Sequence, residues 1–352
     1  MTGGRPAHRP SAGAQADRRI APVTFDDRVA AIKPFGFTDR QSRFLVTVML
    51  HSGVCMVRQY CAFSRIVRGQ KTQDFFGSLV ARKYATVSLD GHRKVRLFHV
   101  QHRGLYEAIG EPHNRHRKPT PLGAAIERLM LLDAVLDTPT IAWLATERDK
   151  IAYFTRLLGT RLLRDELPSL TFGAPGKTTV RYFPDKMPIG VDPDGRTLVL
   201  AYLVKRASPI DFRAFLQRHA ELLRALPYWK IRLLFPTHLK DAECVYLAAF
   251  RQELATPLRL STVDELRWYF GHEAAHGNLS GPDGIRLALA RRAFDAPRYR
   301  VLYRAWLREG RRVVDAAGSP VLADAVERGT GQVQCQGLSH PYLHLSTLVG
   351  TA

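Results

Sequence analysis

Two stretches of this chain carry residue types at spacings that chemistry could use. The first is His272-Glu273-Ala274-Ala275-His276. On a helix, two histidines four apart share a face and can chelate zinc, with the glutamate between them as general base of a peptidase. Ser261 or Thr262 would cap such a helix, and Asp264-Glu265 suit its first turn. Gly277 follows at once, the run 278–281 breaks the helix, and no third ligand stands out among Glu309, Asp315, His340 and His344. The expectation is a helix end whose histidines are exposed or lie on DNA phosphate, with no metal at His272 and His276 and no base at Glu273. The second stretch is polar rather than catalytic. A helix from about Gln70 to Lys83 sets Phe75, Phe76, Leu79 and Val80 on one face and Gln70, Lys71, Gln73, Asp74 and Ser78 on the other. Short hydrogen-bonding side chains on a helix surface are what a major groove accepts.

The elements that would position this helix form a consistent series. Thr38 with Gln41 three residues on is a capping box opening a helix to about His51, ended by Ser52-Gly53. A short helix covers about Met56 to Phe63, and residues 65–69 make the turn into the polar helix. Tyr84–Leu89 and Val95–Val100 read as strands joined at Asp90-Gly91, a tight hairpin signal. His92, Arg93 and Lys94 sit at its tip, where a wing would meet phosphate. The order predicts a winged helix-turn-helix over 37–110. Gln70, Lys71, Gln73 and Ser78 would read base edges; Arg58, His92, Arg93, Lys94 and Arg96 would hold phosphates.

Charge supports a polyanionic partner. The 352 residues carry a net +20. Residues 1–118 hold 21 Lys and Arg against 8 Asp and Glu, and the rest hold 31 against 24. Nucleic acid is the usual cytoplasmic polyanion. No apolar run reaches the roughly 18 residues of a membrane span, and the first 19 residues lack a signal core. A cytoplasmic, nucleoid-associated protein is expected. Cys55, Cys61, Cys244 and Cys335 form no CxxC pair and read as free, mostly buried thiols.

The segment Arg96-Leu97-Phe98-His99-Val100-Gln101-His102-Arg103-Gly104-Leu105 resembles the wing of the replication-relaxation proteins of bacterial plasmids and integrative elements. Those proteins join a winged helix to a restriction-nuclease-like domain, and the resemblance spans 38–236. It implies a frame in which an Asp at one strand and a Glu/Asp-x-Lys on the next hold a divalent metal that activates water. Here Arg181–Asp185 is the candidate first strand, residues 192–195 a turn and Thr197–Val204 the next strand. Pro209–Leu226 is the following helix, and Ile231–Phe235 a further strand. The strand ends Ala201-Tyr202-Leu203-Val204-Lys205, with Ala201 and Leu203 where carboxylates belong. Asp185 alone holds a hard cation poorly, so the expectation is a nuclease-like fold without activity and without cofactor.

The fold class expected is α+β: an N-terminal winged helix, a central nuclease-like α/β domain and a helical C-terminal region. The boundaries read as a disordered basic tail (1–36), the winged helix (37–110), a Pro-rich linker (111–121), a linking helix with the α/β domain (122–241), and a mainly helical 242–352 with Gly-rich breaks near 277–284 and 329–337. The apolar helix Leu122–Leu136 suits either a dimer seam or a core. The basic row Arg291, Arg292, Arg298, Arg300, Arg304, Arg308, Arg311 and Arg312 reads first as a solvated face, and second as a further DNA surface. The function expected is sequence-specific binding of double-stranded DNA, as a homodimer on inverted repeats. That suits a transcriptional regulator or a replication or partition factor of a mobile element. The alternatives are a metal-dependent enzyme, through Asp185 or through His272-Glu273-His276, and a scaffold in a replication or transfer assembly.

Overall fold

The structure is a computed structural model and describes residues 23–90, 95–174, 177–275, 280–340 and 342. It is a mixed α+β protein. Helix formation begins inside the stretch expected to be a tail. Thr24 Oγ1 accepts from Asp27 N–H (3.1 Å) and the Asp27 carboxylate accepts from Thr24 N–H (2.9 Å), a capping box that opens α1 (Phe25–Ile32). Val29 and Ile32 are buried, and Arg28 reaches Asp149 with two bonds of 3.1 Å. The basic composition hid an amphipathic turn and an interdomain ion pair, so residues 24–35 are part of the folded unit; residues 1–22 lie outside the described residues.

Next come α2 (Asp39–His51), β1 (Val54–Cys55), α3 (Val57–Ser64), α4 (Gln70–Ala81), β2 (Ala85–Asp90), β3 (Val95–Val100) and α5 (Arg103–Ala108). The three strands form one sheet in the order β1-β3-β2, antiparallel throughout. Phe44, Val48, Tyr60, Phe75, Phe76, Leu79 and Phe98 share one core. The expected linker is docked on this unit rather than free. A 3-10 turn at Arg115–Arg117 buries His116, whose carbonyl bonds His99 Nε2 at 2.8 Å. Gly53 stands there at φ +73°, and a Cβ would lie 2.3 Å from that same carbonyl, so this approach demands glycine.

The second unit starts with α6 (Leu122–Leu136), followed by β4 (Ala142–Leu144), α7 (Glu147–Leu158), β5 (Ser169–Phe172), β6 (Thr179–Tyr182), β7 (Ile189–Val191), β8 (Leu198–Leu203), α8 (Ile210–Ala225) and β9 (Trp229–Phe235). Then come α9 (Glu243–Phe250), α10 (Leu260–Ala274), α11 (Gly281–Ala293), α12 (Pro297–Glu309), α13 (Arg312–Ala317), α14 (Val321–Glu327) and β10 (Gly331–Gly337). The central sheet runs β10-β9-β8-β7-β4, parallel across β8, β9 and β10 and antiparallel across β7 and β4. Every residue of β8 is buried, as in a strand covered on both faces. Tyr202 meets Phe212 and Phe215 of α8 (ring centroids 4.9 and 5.0 Å). On the other face Leu203 lines a cavity with Ile126 and Met130 of α6. Leu129, Met130, Leu132, Ala134 and Val135 of α6 are buried within the chain, which makes that helix core and removes its apolar face from any dimer seam.

Two expectations fail in the second half. The Gly-rich run near 329–337 is not a helix break but β10, paired in register with β9, Gly331 opposite Trp229. A Cβ at Gly331 would lie 2.3 Å from the Trp229 indole, so the glycine that looked like a breaker makes room for a core aromatic. The C-terminal region is therefore not separate, since its last strand completes the central sheet. Its helices keep a smaller core of their own, with Leu258, Val263, Leu266, Phe270, Leu302 and Val314. The cysteines are free, but only Cys55 is buried and Cys244 is exposed.

Candidate nucleic-acid interface

Helix α4 is held from behind by aromatic contacts. Tyr60 meets Phe75 at 4.7 Å, Phe75 meets Phe76 at 5.1 Å, and Phe76 meets Phe98 of β3 at 4.5 Å. Thr72 and Leu79 complete the buried side. Full burial of each Phe contributes roughly 1.5–3 kcal/mol, so the helix cannot roll to present another face. What remains outside is Gln70, Lys71, Gln73, Asp74 and Gly77, with Ser78 half-buried. Gln70 Nε2 donates to Asp74 Oδ1 at 2.7 Å. Lys71 and Gln73 make no side-chain bond among the described residues.

The turn into α4 adds a feature not singled out from the sequence. Arg65 caps α3 in the left-handed region at φ 51°, and Arg65, Val67 and Arg68 are exposed, Val67 at 90 %. Neither arginine is ion-paired among the described residues. The pattern Arg65-x-x-Arg68-Gly69 directly before the helix was the available signal. Arg96 is exposed on β3. His92, Arg93 and Lys94, the expected hairpin tip, lie outside the described residues.

Arg58 is elsewhere. It lies on α3 with its guanidinium bonded to Asp133 Oδ1 (3.0 Å) and Oδ2 (2.7 Å) of α6 and to the Tyr342 hydroxyl, and stacked 4.9 Å over that ring. Gln59 Nε2 adds bonds to Asp133 (2.8 Å) and to the Leu129 carbonyl (3.0 Å). Burial, and next the Asp133 carboxylate, push the Tyr342 hydroxyl well above its usual range. The expectation that Arg58 holds phosphate is corrected: its charge is consumed by a carboxylate that only the fold brings near.

The nuclease frame is also rearranged. Among the described residues β6 pairs only with β5, in a separate two-stranded sheet, so Arg181–Asp185 is not a strand of the central sheet. Asp185 follows in a turn with Phe183 and Lys186 at φ 49° and 61°. Its carboxylate bonds Arg218 and lies 3.8 Å from His219 Nδ1, which itself bonds the Phe215 carbonyl at 3.0 Å. Burial pushes His219 down to about 4 despite Asp185. Burial likewise pushes Lys150 down to about 7, with Arg115 adding to the effect; its ammonium donates to Met187 O at 2.8 Å. Ala201 and Leu203 are buried at the places where carboxylates would stand, and Lys205 pairs with Glu127 at 2.7 Å. These residues do not fit a divalent metal.

Of the zinc-like motif, His272 and Glu273 lie among the described residues, and each has a partner within the fold. His272 bonds the Trp268 carbonyl through Nδ1 (2.7 Å) and stacks on its ring, and Glu273 is paired with Arg291 at 2.9 Å. His276 lies outside the described residues. Among the described residues no group of three or more His, Cys, Asp or Glu could hold a metal ion, and no helix is long and apolar enough to cross a membrane.

No family model matches the chain, so none for the replication-relaxation proteins does, and no curated protein matches it. Among solved structures, that of the SdaI restriction endonuclease is similar at 13% identity and a TM-score of 0.19, covering 64% of this chain and 88% of that one.

Proposed function

We propose that residues 37–110 dock on double-stranded DNA as a winged helix-turn-helix, with α4 in the major groove and the β2–β3 tip on the phosphates. The observation that carries this reading is the division of α4. Its inner face is locked by Phe75, Phe76 and Leu79, while its outer face offers Lys71 and Gln73, unengaged among the described residues, and the turn before it Arg65 and Arg68, without an ion pair among them. Lysine donates to guanine O6 or N7, and glutamine pairs adenine N6 and N7. The arginines of the turn sit where backbone contacts fix register. On this reading the rest of the chain holds this unit; β8 carries no carboxylate and Asp185 is engaged by Arg218. With the resemblance to replication-relaxation proteins, this suits a replication or partition factor or a transcriptional regulator of a mobile element, acting as a dimer on inverted repeats.

The test is a salt titration on a random duplex pool. Arg65→Ala with Arg68→Ala should lower the slope of log affinity against log salt by up to about 1.8, at roughly 0.9 per lost phosphate contact. An unchanged slope in a folded double variant would place the turn away from DNA.

A further inference from the structure

Residues 297–312 hold six arginines and a single acidic residue, Glu309. Arg298 turns inward, donating to the Thr256 carbonyl (2.7 Å) and lying 3.9 Å from Glu253, a fully buried carboxylate that also takes Arg213 of α8. Val301, Leu302 and Ala305 are buried beside it. Those contacts fix the opposite face outward. Arg300, Arg304 and Arg308 recur every fourth residue on that exposed face, at intervals of about 6 Å along the helix, and Arg311 continues past Gly310. Arg300 pairs with Asp295 (2.7 Å) and Arg312 with Glu309 (3.6 Å). Arg304, Arg308 and Arg311 have no ion pair among the described residues. Like charges four apart on a helix repel, so the row opposes the fold unless an anion lies along it.

The position of the row matters as much as its charge. α6 carries the N-terminal unit through Gln59, Arg58 and Asp133 and covers the Leu203 face of the sheet. α8 covers the Tyr202 face, and α12 packs on α8. Between α6 and α12 lie the sheet and α8, three layer spacings of about 10 Å each. The row is thus on the far side of the sheet from α6, the helix that holds the N-terminal unit.

We propose that Arg304, Arg308 and Arg311 form a second, sequence-independent surface for the phosphate backbone of duplex DNA, so that one chain bridges two DNA segments. The second half of that statement rests on the α4 reading above; the first does not. A duplex is favoured over a lipid surface because the face is a straight row of guanidiniums on a helix whose apolar side is already spent on α8 and on the core it shares with α10 and α13. Of its large hydrophobic residues only Leu307 is exposed, at 55 %.

The experiment uses the full chain bound to a bead-immobilised duplex and offered a labelled duplex of unrelated sequence. The wild type should capture the second duplex. The variant Arg304→Ala, Arg308→Ala, Arg311→Ala should hold the first duplex within about two-fold yet capture the second at least about ten-fold less. A triple Arg→Lys variant should restore capture, which a folding defect at these positions would not allow. Capture by wild type should also be steeper in salt than capture by the Ala variant, by up to about 2.7 in log-log slope. Equal capture by wild type and Ala variant would mean that bridging runs through a dimer and would overturn the proposal. So would absence of capture by a wild type that holds the first duplex, or preference of the three arginines for phosphatidylserine vesicles over DNA. If the chain carrying Lys71→Ala and Gln73→Ala no longer binds the first duplex, the row is scored by direct titration. Residual duplex binding that the Arg→Ala variant removes supports the row, and its persistence sinks it, whatever becomes of the α4 reading.

Discussion

Replacing Arg58 with Ala distinguishes an internal ion pair from a phosphate contact. Arg58 gives Asp133 two charge-assisted bonds, at 3.0 and 2.7 Å. The Asp133 side chain is only 10 % exposed, and without Arg58 it keeps two neutral donors, Gln59 Nε2 at 2.8 Å and the Tyr342 hydroxyl at 2.6 Å. Removing one partner of a fully buried pair costs about 3–5 kcal/mol. The Arg58 side chain is 31 % exposed, and the remaining donors still solvate the carboxylate, which brings the expected loss to about 2–3 kcal/mol. The melting temperature should fall by roughly 3–4 °C, at about 2.1 cal/mol/K of unfolding entropy per residue. The salt slope of DNA binding, measured below the new melting point, should not change. A phosphate contact predicts the reverse: a slope lower by about 0.9 and stability within about 0.5 kcal/mol of wild type. Scanning calorimetry and a salt titration on one preparation decide it. A lowered slope with an unshifted melting temperature would refute the reasoning.

Arg93→Ala with Lys94→Ala should weaken binding to all duplexes alike and lower the salt slope by up to about 1.8, with site preference unchanged; a changed preference would make the tip a base reader. Purified protein should leave supercoiled plasmid intact in Mg²⁺ or Mn²⁺, and cutting that Asp185→Ala abolishes would show a working rearranged site. His219 is held neutral, with its folded value near 4 against about 6.5 unfolded. The unfolded chain takes up the proton first as pH falls, so His219 costs stability progressively from about pH 6.5 to 4, on the order of 2–3 kcal/mol in total. Melting followed over that range should be flatter in His219→Gln, and equal steepness would show that the ring is not kept neutral.

What the sequence made legible is what is local. The Thr38–Gln41 capping box opens α2 as read, Val95–Val100 and Leu122–Leu136 have the bounds read for them, and the apolar side of α4 is the side that is buried. Each of these is set by residues within one or two turns of one another. What was not legible depends on distant partners. Nothing near Arg58 announces Asp133 or Tyr342, and nothing near Asp185 announces Arg218. β10 was misread because glycine carries two meanings, a breaker of helices and a residue that lets an aromatic ring close on a strand; only Trp229 decides between them. The segment 24–35 was misread because its neighbours up to residue 22 swamped a short box of Thr24 and Asp27.

The central claim is that α4 reads base edges, and selection of preferred sites from a random duplex library tests it most directly. Lys71 and Gln73 are exposed at the N-terminal end of α4, the end that lies deepest in the groove in helix-turn-helix docking. A good base contact discriminates by about 1–3 kcal/mol, so each is worth roughly 5- to 150-fold in site preference. Wild type should return a defined motif. Gln73→Ala should return the same motif with one or two positions per half-site relaxed, while its affinity for the unselected pool stays nearly the same. Identical motifs from the two proteins, or no motif from wild type, would contradict the account.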